Sequence, residues 1–159
     1  VVSEQMAAGV PTRVRNLGNV DEHERILDAG PETVARLKRA MSNSKTLIWN
    51  GPLGVFEIPP FQRATMEAAW HAAQLAREGK LIAVAGGGDT VSALNMAGVA
   101  VDFTFVSTAG GAFLEWMEGK VLPGVERSLT TADIASLQNS TGDVANLTRV
   151  LQDLLPDKK

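Results

Sequence analysis

Five consecutive apolar residues, Leu81-Ile82-Ala83-Val84-Ala85, run into Gly86-Gly87-Gly88-Asp89-Thr90, and residues 91–98 then have helical composition. A helix start leaves backbone N–H groups without partners and carries the positive end of the helix dipole. A strand, glycine loop and helix in succession therefore suit an anion, phosphate first. Glycines let a ligand approach the backbone closely and permit positive φ. Asp89 would repel a phosphate unless a divalent cation lay between them, and Mg²⁺ favours one or two carboxylates together with phosphate oxygens. The competing reading makes Asp89 or Thr90 the N-cap of the helix, and both readings can hold at once.

The elements that must position this loop follow from apolar spacing. The chain opens on Val1-Val2, which reads as the inside of a strand belonging to something longer. Residues 3–25 are polar and mixed, a loop with one short strand around Thr12–Val14. Pro31 suits the first helical position, and Val34, Leu37 and Met41 fall at helical spacing, so the pattern predicts a helix over 31–42. Thr46-Leu47-Ile48-Trp49 is a short buried strand ending in Asn50-Gly51-Pro52-Leu53-Gly54. The alanine-rich stretch 60–79 is the clearest helix, stopped by Gly79. A further strand is predicted over Asp102–Val106, a third glycine turn over 107–112, and a short helix over Phe113–Glu118.

Strands alternating with helices imply parallel pairing with right-handed crossovers. The fold class is thus α/β, an open, mostly parallel sheet with Rossmann-like three-layer architecture, incomplete at the N-terminus and followed by a helical tail. In such a sheet the carboxyl ends of the strands line one edge, where ligands bind, so the three glycine turns should converge.

Composition excludes several function classes. The 159 residues amount to one domain, with 45% hydrophobic and 21% charged residues and a net charge of −3. Neither the charge nor any Lys/Arg-rich block gives a footprint for nucleic acid. The absence of cysteine excludes disulfides and thiolate chemistry. No apolar run reaches membrane-spanning length and no signal-peptide pattern opens the chain, so a soluble cytoplasmic protein with no membrane partner is expected. His23 and His71 lack a second histidine at ligand spacing, and Trp49, Trp70 and Trp116 read as packing residues.

Two phosphate-binding fingerprints fail letter by letter. Counting from Gly86, the sixth position of G-x-G-x-x-G is Val91, and no lysine follows a glycine loop as G-x-x-x-x-G-K-[ST] requires. Instead, four motifs in order carry a resemblance: Trp49-Asn50-Gly51-Pro52-Leu53-Gly54-Val55-Phe56-Glu57, Gly86-Gly87-Gly88-Asp89-Thr90, Ser107-Thr108-Ala109-Gly110-Gly111-Ala112, and Leu114-Glu115 with Glu118-Gly119-Lys120 and Leu122-Pro123-Gly124-Val125. Together with Leu27-Asp28-Ala29-Gly30-Pro31, this pattern resembles the C-terminal domain of phosphoglycerate kinase over residues 1–126.

That resemblance implies a two-domain glycolytic kinase that moves a phosphoryl group between 1,3-bisphosphoglycerate and ADP with Mg²⁺. The C-terminal domain would hold ADP or ATP, and the missing N-terminal domain the glycerate. Carried over position by position, Leu27 and Val55 would wall the adenine and Glu57 would bind the ribose hydroxyls. Asn50 and Pro52 would line the site near the ribose and phosphates. Gly87, Gly88, Asp89 and Thr90 would meet the phosphates and the metal, with Asp89 as the metal-side carboxylate. The amides of Gly110 and Gly111 would face the transferring phosphoryl group, where positioned donors stabilise developing charge.

The chain departs from the family at three places. Ala109 stands where the family usually has the first of three glycines. The family's catalytic arginine and nucleotide-facing lysines have no counterpart here, so the 159-residue chain alone is expected to be inactive. Residues 127–159 continue past the usual end, with Val144, Leu147, Val150, Leu151, Leu154 and Leu155 spaced as an amphipathic helix over 142–155. The alternative function is a non-catalytic α/β module that binds a partner, or its own surface, through that helix.

Overall fold

The structure, a computed structural model, describes residues 1–108 and the backbone of residues 144–146. Strand β1 (Val2–Ser3) pairs antiparallel with β2 (Arg25–Ile26), Val2 opposite Ile26, and Val2 also bridges to Arg13. Helix α1 (Pro31–Ser42) follows with Pro31 in its first turn, where a missing N–H costs nothing. Then come β3 (Thr46–Asn50), α2 (Arg63–Arg77), β4 (Ile82–Gly86), α3 (Gly88–Met96) and β5 (Phe105–Ser107). The last strand, β6 (Val144–Asn146), lies on the outer side of β3.

The sheet has the order β5-β4-β3-β6, and every neighbouring pair is parallel. Because β3, β4 and β5 are consecutive neighbours joined by helices, right-handed crossovers put α2 and α3 on the same face. The packing agrees: α1 lies against α2, and α2 against α3. The sheet and one of the two expected helical layers are therefore among the described residues.

The core forms between that layer and the sheet. Leu47 and Trp49 of β3 and Ala83 and Ala85 of β4 meet Ala68, Ala69, Ala72 and Ala73 of α2, with Leu37 and Met41 of α1 behind them. Alanines along α2 let the helix axis approach the strands closely. The alternate residues Ile48 and Val84, on the opposite face, are buried too, so these strands are covered on both sides as their unbroken apolar runs require. Trp49 packs on Phe103 with ring centroids 6.2 Å apart.

Two readings need correction. The amphipathic helix expected over 142–155 does not begin at its first apolar residue. Val144–Asn146 is instead a strand, in register with Thr46, Leu47 and Ile48 of β3. The open edge of β3 offers backbone hydrogen bonds that local helical spacing cannot anticipate. The remainder of that segment, like the helix expected over 113–118, lies outside the described residues. Trp70, read as a packing residue, is 52% exposed, with its indole N–H donating to the Ala97 carbonyl at 3.0 Å.

Candidate functional site

Register fixes where the glycine turns meet. Asn50 at the end of β3 pairs with Gly86 at the end of β4, and Gly86 pairs with Ser107 at the end of β5. The first two turns and the start of the third therefore share the carboxyl edge of the sheet. The Gly87 N–H donates to the Ser107 carbonyl at 2.9 Å, closing the edge laterally. Gly110 and Gly111 lie outside the described residues.

Gly87 is the N-cap of α3, with φ 96° and ψ 141°, a conformation open to glycine and strained for other residues. A Cβ there would also sit 2.9 Å from Asn50 Oδ1, so the Asn50 side chain rests over the Gly87 backbone. Gly88 and Asp89 are exposed in the first turn of α3, and space is open above Gly88. Gly87 is the N-cap and, among the described residues, no side chain caps this helix, so the reading of Asp89 or Thr90 as its N-cap is corrected. The reason is geometric: the glycine turn enters the helix at Gly87, two residues before Asp89 and three before Thr90. Among the described residues no side chain takes the first amides of α3, which suit a ligand or solvent, and Asp89 lies in the same first turn.

Thr90 does something the sequence did not suggest. It is 1% exposed, and its Oγ1 accepts the Gly51 N–H at 2.7 Å. That bond joins the turn after β3 to the helix after β4.

The loop that follows Asn50 is held at two further points. The Leu53 N–H donates to Thr65 Oγ1 at 3.0 Å, and the Val55 N–H donates to the Leu27 carbonyl at 2.9 Å. Leu27 and Val55, 28 positions apart in sequence, are thus directly bonded, Leu27 buried and Val55 half-buried. Pro52 is half-buried on the same loop and Glu57 is exposed just beyond it. Trp49 donates its indole N–H to the Gly51 carbonyl at 2.6 Å, anchoring the turn to the core.

Beneath this loop lies Asp28, 3% exposed. Its Oδ2 accepts the Ala64 N–H at 3.0 Å and its Oδ1 the Ala29 N–H at 2.9 Å. Burial pushes its carboxyl up to about 6, against the opposing pull of those two amides.

The chemistry at the edge has a limited donor set. Among the described residues, no three His, Cys, Asp or Glu side chains converge as a protein-only metal cage would need. Asp89 is the acidic residue in the first turn of α3, and one carboxylate beside helix-start amides fits a cation sharing its coordination with phosphate oxygens. Several basic side chains are engaged elsewhere: Lys80 with Glu78 at 2.7 Å, Arg63 and Lys38 with Glu67, and Arg77 with Asp102. A cavity of about 170 Å³ lies at the β1–β2 ribbon, lined by Val2, Ser3, Val10, Arg13 and Glu24 among others. It shares no residue with the carboxyl edge. Its Glu24 is buried and engaged: burial acts to raise the carboxyl, but the Asp21 amide, Arg13 at 3.0 Å and Arg15 at 3.2 Å hold it below its usual value.

Comparison with known proteins gives a consistent match. The profile of the phosphoglycerate kinase family matches residues 1–120. A phosphoglycerate kinase of Caulobacter vibrioides (strain NA1000 / CB15N) is 69% identical over 125 residues, covering 79% of this chain and 32% of that protein. One of Maricaulis maris (strain MCS10) is 58% identical over 136 residues, covering 86% of this chain and 34% of that protein. Among solved structures, phosphoglycerate kinase from Coxiella burnetii superposes with a TM-score of 0.69 at 38% identity, covering 79% of this chain and 31% of that one. The chain spans about a third of the length of the curated relatives it matches.

Proposed function

The chain belongs to the phosphoglycerate kinase family, and from that premise we propose that it is the nucleotide-binding part of a kinase transferring a phosphoryl group between 1,3-bisphosphoglycerate and ADP. The observation that carries this reading is the register Asn50–Gly86–Ser107, which gathers the glycine turns at one edge beside the exposed amides of α3.

In this reading Leu27 and Val55, joined through their backbones, wall the adenine, and the exposed Glu57 carboxylate accepts from the ribose hydroxyls. Asn50 and Pro52 border the ribose and phosphates. The Gly88 amide, in the first turn of α3, donates to phosphate oxygens, where a helix start holds negative charge without reorganisation, while the Gly87 amide, bonded to the Ser107 carbonyl, holds the turn in place. Thr90, tied to Gly51, keeps the two turns at fixed separation. Mg²⁺, when bound, neutralises phosphate charge next to Asp89. Gly110 and Gly111 would supply amides to the transferring phosphoryl group.

The glycerate site and the cationic side chains that steady the transferred group would belong to an N-terminal domain outside this chain. Domain closure would bring the two halves together, and the isolated chain would bind nucleotide without turning over. No helix among the described residues is long and apolar enough to cross a membrane, and the proposed setting is the cytoplasm. The test is calorimetry of the 159-residue chain with ADP and Mg²⁺, paired with an assay for ATP formed from 1,3-bisphosphoglycerate. Binding without turnover is expected. Absence of binding overturns the nucleotide reading, and measurable turnover overturns the need for the second domain.

A further inference from the structure

Asp28 touches none of the residues proposed to contact the nucleotide through its side chain, yet three segments of the site meet at it. Its Oδ2 accepts the N–H of Ala64, in the first turn of α2, from 36 positions earlier in the chain. Gln62, the N-cap of α2, contributes no side-chain cap, so Asp28 supplies the missing acceptor from a distant strand end. The neighbouring Leu27 carbonyl accepts the Val55 N–H. Gly54, between the two held positions Leu53 and Val55, approaches so closely that a Cβ there would lie 2.7 Å from the Leu27 carbonyl oxygen and 2.8 Å from Asp28 Cα.

We infer that Asp28 is a positioning residue for the base-facing wall: its carboxylate fixes Leu27 against the first turn of α2, and so sets where Val55 and Leu27 stand relative to each other. This rests on the nucleotide reading of the same edge. The two carboxylate oxygens each take one N–H donor, Ala64 on one side and Ala29 on the other. An asparagine can accept only on its oxygen, so one of the two amides would face an NH₂ donor instead. A buried N–H is then left without a partner, and the wall loses its anchor while the phosphate side of the site keeps its own bonds.

The discriminating experiment uses the full 159-residue chain with two probes, ADP and inorganic pyrophosphate, each with Mg²⁺. In Asp28→Asn, ADP affinity is expected to fall about tenfold, the worth of one lost hydrogen bond to a charged group. Pyrophosphate, which has no base, should bind as it does to the unsubstituted chain. Amide exchange at Val55 and Ala64 should speed up while exchange along β4 stays unchanged. Gly54→Ala presses on the same contact from the loop side and should give the same ADP-selective loss, which keeps the test open if Asp28→Asn fails to fold. Equal losses for both probes, or unchanged ADP binding with unchanged exchange at Val55 and Ala64, overturn the inference. If the unsubstituted chain binds no ADP, the nucleotide reading fails and takes this inference with it.

Discussion

Two adjacent glycines at the start of α3 should separate stability from binding. Gly87 has φ 96° and ψ 141°, whereas the φ of Gly88 lies outside the left-handed range and no atom lies within 4 Å of where its Cβ would be. Alanine at 87 forces an L side chain into a glycine-only conformation, a strain of about 1–3 kcal/mol. For a chain of this size that corresponds to a fall in melting temperature of roughly 2–12 °C. The clash with Asn50 Oδ1 adds little, because that side chain is exposed and can rotate. Alanine at 88 meets open space and helical backbone, so stability should hold or rise by about 0.5–1 kcal/mol. If phosphate lies over that backbone, however, the same methyl occupies the ligand's place. An overpacked contact costs about 1–3 kcal/mol, or roughly 5–150-fold in Kd for ADP with Mg²⁺. Thermal melts and calorimetry on Gly87→Ala and Gly88→Ala read both quantities. Wild-type ADP affinity in Gly88→Ala would show that no phosphate lies over that backbone, and a wild-type melting temperature in Gly87→Ala would show that the turn accepts a side chain without strain.

Thr90→Val keeps the shape of the side chain but removes the acceptor of the Gly51 N–H, and should cost about 1–3 kcal/mol in chemical denaturation; Thr90→Ser should recover most of it. Glu57 is exposed, so Glu57→Ala should leave the melting temperature alone, weaken ADP roughly 10-fold or more by the loss of a charged hydrogen bond, and abolish discrimination between ADP and 2′-deoxy-ADP in competition binding. The pH profile should be bell-shaped. Asp28, raised by burial from 3.8 to about 6 against the amides of Ala64 and Ala29 and the Val1 amino group, with Glu67 adding a small push upward, contributes stability that is full below 3.8 and lost as pH rises through about 6. Glu67, held below 4.5 by its hydrogen bond from Arg63 and then by Lys38, contributes stability that is present above 4.5 and lost as pH falls through its lowered value. Melts from pH 3 to 8 should therefore peak at or below about 4.5 and decline from there to about 6, and Asp28→Asn should remove that decline. A melting temperature that climbs steadily to pH 8 would contradict the assignment.

Local patterns carried much of the fold. The helix over 31–42 is legible to the residue because Pro31 marks its start and Val34, Leu37 and Met41 fix its buried stripe. The strands at Thr46 and Ile82 are legible as unbroken apolar runs, and parallel pairing follows from the helices between them. The convergence of the turns after β3 and β4 is likewise an inference from topology that the register bears out. What sequence could not reveal depends on contacts between distant positions. Asp28 sits in a turn-like stretch, and an aspartate there reads as a turn residue; its burial and its capping of α2 need a partner 36 positions away. Thr90 offered two readings, helix cap or phosphate contact, while its hydroxyl oxygen is used by Gly51, 39 positions earlier. Val144 joined a convincing helical stripe, but the free edge of β3 outweighs local spacing. Glu57 was legible through its motif alone, since its exposure and charge are those of any surface acid.

Nucleotide bound at the carboxyl edge of the sheet would leave a footprint in amide exchange. Amide exchange on the 159-residue chain with and without ADP and Mg²⁺ locates the ligand most directly. Slowed exchange at residues 50–57 and 86–90, with residues 2–13 around the ribbon cavity unchanged, is the expected footprint. Slowing confined to residues 2–13, with none at the two turns, would contradict it.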